Sequence, residues 1–298
     1  MKERIRMSKE TADIKKLEET ANRIRIKVVK MIGNAGSGHA GGALSAAEIL
    51  AVLYCHVMKL DPDNPEWKNR DRFILSKGHG AFALYSALSE AGIIPEKTLF
   101  TAYSVTSPCQ AHPEKGRCPG VEMSTGALGQ GLSAGIGMAI GAKIRKKDFR
   151  VYVVIGDGES NEGQIWEAMM SAPKFKLDNL VAILDYNKLA LSDPIDEVMS
   201  LEPIADKARA FGWNVFEADG HSVSELVEAF EKANNTKNSK PSLIIAHTTK
   251  GKGISYVEGK QECHAIVMTL EQAEATLKEL GCPQKEIEKY LSFVKEKK

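Results

Sequence analysis

The sequence predicts an α/β protein built on a doubly wound, mostly parallel sheet with helices on both faces, and three observations carry that expectation. Runs rich in β-branched residues, VYVVIGD, LVAILDY, WNVFEAD and SLIIAHTT, alternate with segments of helical period through the second half of the chain. A hydrophobic content of 43% over 298 residues suffices for a substantial core. No internal repeat, low-complexity tract or long linker divides the chain, so residues 1–298 read as one domain.

The first element is a helix from about Lys9 to Met31, where Leu17, Ala21, Ile24, Val28 and Met31 recur at helical spacing, and it stops at the glycines of GNAGSGHAGGALS. Ser45 followed by Glu48 reads as a capping box opening SAAEILAVLYCHVM. The polar connection LDPDNPEWKNRD leads to RFILS, the first strand, and then to a helix near GAFALYSALSEAG. Beyond a glycine-rich middle, LGQGLSAGIGMAIGAKIRKK reads as a helix whose small residues permit close backbone approach. VYVVIGD then begins the alternation: helix EGQIWEAMMSAPKF, strand LVAILDY, helix PIADKARAFG, strand WNVFEAD, helix SVSELVEAFEKANN capped by Ser222 and Glu225, and strand SLIIAHTT. TLEQAEATLKELG and PQKEIEKYLSFVKEK complete the chain as helices.

Forty Lys+Arg against 39 Asp+Glu leave a formal charge of +1, so no global field favours nucleic acid or an acidic membrane, and an anionic ligand must be held locally. The charged start MKERIRMSKETADIKKLEET lacks the apolar core of a signal peptide and no later run has the length of a membrane span, which predicts a cytoplasmic protein. Five scattered cysteines argue against a disulfide framework. Cys109, His112 and Cys118 in CQAHPEKGRC are conceivable zinc ligands, but a fourth at recognisable spacing is missing and zinc is not expected.

Asp157 stands between Gly156 and Gly158 where a strand ends, at the carboxyl edge where doubly wound sheets collect ligands. The flanking glycines let the backbone turn sharply and come close to a ligand. Thirty residues on, LDYNKLALS sets Asn187 at the equivalent edge of a strand expected to be its neighbour. A carboxylate, an amide oxygen and a backbone carbonyl form a hard-oxygen set suited to Mg²⁺ or Ca²⁺ once a phosphorylated ligand adds oxygens, so metal and diphosphate are implied together. A G-D-G triplet alone is also an ordinary turn, and it is the strand context and Asn187 that lift this one above it. GNAGSGHA lacks the Lys-Ser/Thr ending of a nucleotide P-loop, and no early strand carries G-x-G-x-x-G with an acid downstream. The glycines of STGALGQG either hold a planar cofactor against exposed backbone or serve helix packing.

Taken in order, SGHAGGALS, DRFILSKGHG, QAHPEKGRCPGVEMSTGALGQGLS, GDGESNEG with Asn187, ADGHS and TTKGKG resemble the amino-terminal half of transketolase, a thiamin diphosphate enzyme, over most of residues 20–265. The resemblance implies that Asp157, the Asn187 side chain and the Leu189 carbonyl bind the metal, with Gly156 and Gly158 against the diphosphate. It implies further that Gly126, Ala127 and Leu128 line the cofactor, Leu128 near its aminopyrimidine, and that Lys250 and His79 lie on the diphosphate side. His39 and His112 match positions that orient the donor sugar and move protons. His264 matches another site position, although Cys263 and Ala265 replace the usual aromatic residue and glycine around it. Ala40 and Ala111 replace a common proline and a glycine. Glu162 and Glu167 match acidic residues near an interface between two cofactor sites, or simply solvate the helix they start.

The resemblance covers the diphosphate-binding domain alone. It implies a two-chain transketolase whose partner carries the pyrimidine domain and the glutamate that activates the cofactor, assembled as an α2β2 heterotetramer that transfers a two-carbon ketol unit from a ketose to an aldose. Three alternatives stay open at this point: a sulfonated, branched or deoxy sugar, the α subunit of a 2-oxo acid dehydrogenase first component, and a subunit that kept the fold without the chemistry.

Overall fold

The computed structural model describes residues 12–191 and 193–296. Its centre is a five-stranded parallel sheet of β1 (Arg72–Leu75), β2 (Val151–Gly156), β3 (Leu180–Tyr186), β4 (Asn214–Asp219) and β5 (Ser242–His247), in the order β1-β2-β3-β5-β4. The period of two along each strand sends alternate side chains into two separate cores. Val151, Val153, Ile155, Leu180, Ala182 and Leu184 join one. Tyr152, Val154, Val181, Ile183 and Ile244 join the other. Both faces are therefore covered, as the alternation of strands and helices predicts.

Helix α1 (Ile14–Ala35) starts where the Asp13 side chain accepts from the Lys16 N–H at 3.1 Å and ends at Gly36, whose φ of 83° is left-handed. The expected start near Lys9 lies outside the described residues. Leu17, Ala21, Ile24, Val28 and Met31 are all buried, as their spacing requires. Helix α2 (Ala47–Val52) packs on α1, but the Ser45/Glu48 capping box does not form. Ser45 Oγ donates to Asp185 Oδ2 at 2.6 Å, and Glu48 pairs with Arg25, so tertiary partners have taken both side chains from the helix terminus.

Helices α3 (Ala81–Glu90), α4 (Gln130–Ile144), α5 (Gly163–Lys174), α6 (Ile204–Ala210) and α7 (Val223–Asn235) follow where their periods place them. Ser222 caps α7 as expected, accepting from the Glu225 N–H. The last two, α8 (Leu270–Glu279) and α9 (Gln284–Glu296), pack together, α8 opening on a Thr269/Gln272 capping box. Two short antiparallel pairs have no counterpart in the sequence pattern: Ser37–Gly38 with Ile266–Val267, and Leu189–Ala190 with Asp193–Pro194. Among the described residues no helix is long and apolar enough to cross a membrane.

The chain leaves β1 toward α3 on one face and leaves β2 toward α5 on the other. This divergence opens a crevice at the carboxyl ends of the strands.

Candidate active site

Gly156 of β2 lies opposite Asp185 of β3 in the parallel register, so Asp157 and Asn187 emerge at the same edge from adjacent strands. That edge floors a cavity of about 460 Å³. His39, His79, His112, Gly126, Leu128, Gly156, Asp157, Gly158, Asn187, Leu189, Lys250 and His264 all line it. Ala127 alone among the expected site residues is off the wall.

The side-chain oxygens at this edge are organised by backbone. Asp157 Oδ1 accepts from the Gly158 N–H at 2.8 Å and Oδ2 from the Lys188 N–H at 2.5 Å. Asn187 Oδ1 accepts from the Leu189 N–H at 3.2 Å. Lys250 Nζ donates to the Leu189 carbonyl at 3.1 Å and to the Leu191 carbonyl at 2.5 Å, so these oxygens already converge on a positive charge. Burial, then the nearby Asp185, push Asp157 up to about 6 against the two backbone N–H bonds. A carboxylate destabilised in this way is short of cationic partners. Carboxylate, amide and carbonyl oxygens at one edge fit a hard divalent cation. A Cβ at Gly158 would lie 3.3 Å from Ala190, so a side chain there would crowd the cradle beside Asp157.

Four histidines from four separate segments cluster in the lining of the same cavity. Ring centroids are 5.8 Å apart for His39 and His79, 6.0 Å for His39 and His112, 5.5 Å for His39 and His264, and 5.0 Å for His79 and His264. Small residues permit this approach: a Cβ at Gly42 would sit 3.0 Å from His79 Nε2, and one at Gly126 3.2 Å from His112. Burial, then the Lys77 charge, hold His79 down to about 2, and burial, then Lys250, hold His264 down to about 4. Burial and His112 lower His39 as well. His39 Nδ1 and His264 Nδ1 are buried without a partner among the described residues. Neutral rings with unpaired nitrogens in a cavity suit a ligand that brings hydroxyl groups.

Of the three candidate ligands in CQAHPEKGRC, His112 turns into the cavity while Cys109 and Cys118 are buried. Glu162 and Glu167 are both exposed, and Glu162 precedes α5 without a side-chain capping bond.

The motifs give no sign of a layer of support beneath the site. The fully buried Asp185 is ion-paired with Lys77 and accepts from Ser45 and Thr248. Lys77 Nζ also donates to the Gly42 carbonyl at 2.6 Å. Buried Glu159 ties three loops together, accepting from the Gly129 N–H at 2.8 Å, the Gly156 N–H at 3.0 Å and Ser76 Oγ. A charge inside LVAILDY is the signal that could have found this layer, because a strand buried on both faces cannot hold an unpaired Asp.

Comparison with known proteins gives the family and the fold. The family model described as transketolase, thiamine diphosphate binding domain, matches residues 16–292. The chain is 46% identical to a 6-deoxy-6-sulfo-D-fructose transketolase subunit of Clostridium sp. (strain MSTE9), covering 89% of this chain and 96% of that protein. It is 44% identical to an apulose-4-phosphate transketolase subunit of Phocaeicola vulgatus, covering 93% and 98%. The crystal structure of transketolase from Campylobacter jejuni superposes with a TM-score of 0.85 at 33% identity, over 94% of this chain and 46% of that one.

Proposed function

The chain belongs to the transketolase family through its thiamine diphosphate-binding domain, and from that membership we propose that it is the amino-terminal subunit of a two-chain transketolase. The observation that carries the reading is the shared cavity: a hard-oxygen edge at Asp157, Asn187 and Leu189 and four clustered histidines line one cavity of about 460 Å³. When bound, thiamin diphosphate supplies a nucleophilic carbon and an electron sink for the two-carbon unit. This chain's residues hold and orient. Asp157, the Asn187 amide oxygen and the Leu189 carbonyl hold Mg²⁺, while Gly156 and Gly158 leave room for the diphosphate. Lys250 directs positive charge to the same end, and Gly126 and Leu128 wall the cofactor.

His39, His112 and His264 bind the hydroxyls of a ketose and relay protons, with His79 packed against His39 and His264. Neutrality at working pH follows for His39, His79 and His264 from their lowered pKa values, leaving each ring one donor and one acceptor nitrogen. The partner supplies the pyrimidine-binding domain, and the assembly is an α2β2 heterotetramer. The whole chain is a single diphosphate-binding domain acting in the cytoplasm.

A specific observation favours a modified sugar as substrate: relatives matched over nearly their whole length are named for a sulfonated sugar and for apulose 4-phosphate. Ala40, Ala111, Cys263 and Ala265 alter the family pattern beside His39, His112 and His264. The test reconstitutes the chain with a partner bearing the pyrimidine domain and supplies xylulose 5-phosphate, sulfonated or branched ketoses, and pyruvate. Ketol transfer from one of the sugars is expected, with none from either chain alone. Turnover of pyruvate and no sugar would reject the reading.

A further inference from the structure

Outside the cavity wall, at the turn after β4, His221 joins three elements and has no part in the chemistry described above. Its Nε2 lies 2.8 Å from the Thr249 backbone N–H. That N–H can only donate, so Nε2 accepts and the ring proton sits on Nδ1, directed at Glu48 Oε2 at 3.2 Å. Both Glu48 oxygens accept from Arg25 Nη2 at 2.6 Å, and Arg25 Nε donates to the Lys252 carbonyl at 3.1 Å. The loop that carries Lys250 is thus gripped at Thr249 and Lys252 by one connected network reaching back to α1.

We propose that His221 is a positioning residue that, through the Thr249 backbone, fixes the Lys250 ammonium against the Leu189 and Leu191 carbonyls. The consequence for cofactor binding rests on the proposed function, in which those oxygens and Lys250 stand at the diphosphate end. The placement of Lys250 does not. Thr249 immediately precedes Lys250, and Gly251 on its other side is anchored by its N–H to the Gly41 carbonyl at 3.1 Å. A loop tied on both sides of a long side chain removes the backbone freedom that lets an ammonium wander. Freeing one tie lets Lys250, now 3% exposed, reach solvent.

Two polar variants separate this role from general support of the sheet edge. His221→Gln places an amide oxygen where Nε2 stands and keeps the acceptor for Thr249. His221→Asn keeps only the Nδ1-side donor toward Glu48. The full chain, without cofactor, is treated with limiting acetic anhydride, and acetylation is measured at each lysine by mass spectrometry. Buried Lys77 and Lys30 serve as internal standards. Acetylation of Lys250 is expected to rise about fivefold in His221→Asn, the change that accompanies loss of one ordinary hydrogen bond, and to stay near the parent in His221→Gln. Equal labelling of Lys250 in the two variants, or a joint rise at Lys30, Lys77 and Lys250, would overturn the assignment. Because the readout uses no thiamin derivative, its failure is distinguishable from failure of the proposed function.

Discussion

Asp185 places a charge at a point in the sheet that water does not reach, and Lys77 is its cationic partner. Replacing one member of such a pair strands the other, so Lys77→Met is expected to destabilise the chain by about 3–5 kcal/mol. Lys77→Met combined with Asp185→Leu should recover most of the loss, measured by urea unfolding; a double variant as unstable as the single one would refute the pairing argument. The need for a partner was legible in LVAILDY, but its identity was not. The two residues are 108 positions apart, and only the parallel register and the turn after β1 bring them together. The histidines show the opposite case. Motifs singled out His39, His79, His112 and His264, whereas their common cluster and their unpaired nitrogens come from packing. His264 carries a pH signature of that packing: its folded pKa of about 4 lies below the ordinary 6.5. The unfolded chain therefore takes up the proton first. This contribution to stability is complete above pH 6.5 and is lost as the pH falls through about 4. His264→Gln should accordingly lose less thermal stability than the parent between neutral pH and that lower bound, and parallel pH profiles would contradict a half-buried neutral ring.

Helix α4 shows why glycine content alone says little about an element. A Cβ at Gly135 would lie 2.5 Å from Val153 Cγ2, whereas one at Gly137 would meet nothing within 4 Å. Gly135→Ala should therefore cost about 1–3 kcal/mol by overpacking the helix on β2. Gly137→Ala should stabilise the isolated chain by about 0.5–1 kcal/mol, because alanine loses less backbone freedom in a helix interior. Chemical denaturation of the two variants tests the opposite signs, and a shared sign would contradict the close approach of α4 to the sheet. The same distinction separates what was legible at this scale from what was not. The strands and most helices followed from periodicity, since each buried run has to match the geometry of its element. The Ser45/Glu48 signature failed because a capping box competes with tertiary partners, and here Asp185 and Arg25 displace the local N–H groups. The short Ser37–Gly38 pairing with Ile266–Val267 joins residues with no local signal of each other.

At the scale of the whole molecule, the cavity draws on residues from His39 to His264, so it exists only while the chain is folded. A ligand that binds there and not to the unfolded chain must raise the free energy of unfolding by mass action. Thiamin diphosphate with Mg²⁺, supplied together at about one hundred times the apparent dissociation constant, should add about 2.7 kcal/mol. For a chain of this size that corresponds to a rise in the thermal midpoint of roughly 4 °C. On the proposed reading the two ligands should act together, because a hard cation held by Asp157, Asn187 and Leu189 would need further oxygens that a diphosphate can supply. Either ligand alone should therefore shift the midpoint far less. In Asp157→Ala the joint shift should disappear if that reading holds, since the carboxylate proposed to neutralise the metal is gone while the histidines are untouched. Differential scanning fluorimetry of parent and variant, with each ligand separately and with both, measures all of these outcomes without requiring a partner chain. A joint shift that survives in Asp157→Ala, or a shift from thiamin diphosphate that is indifferent to magnesium, would mean that the edge between β2 and β3 does not hold the diphosphate through a metal.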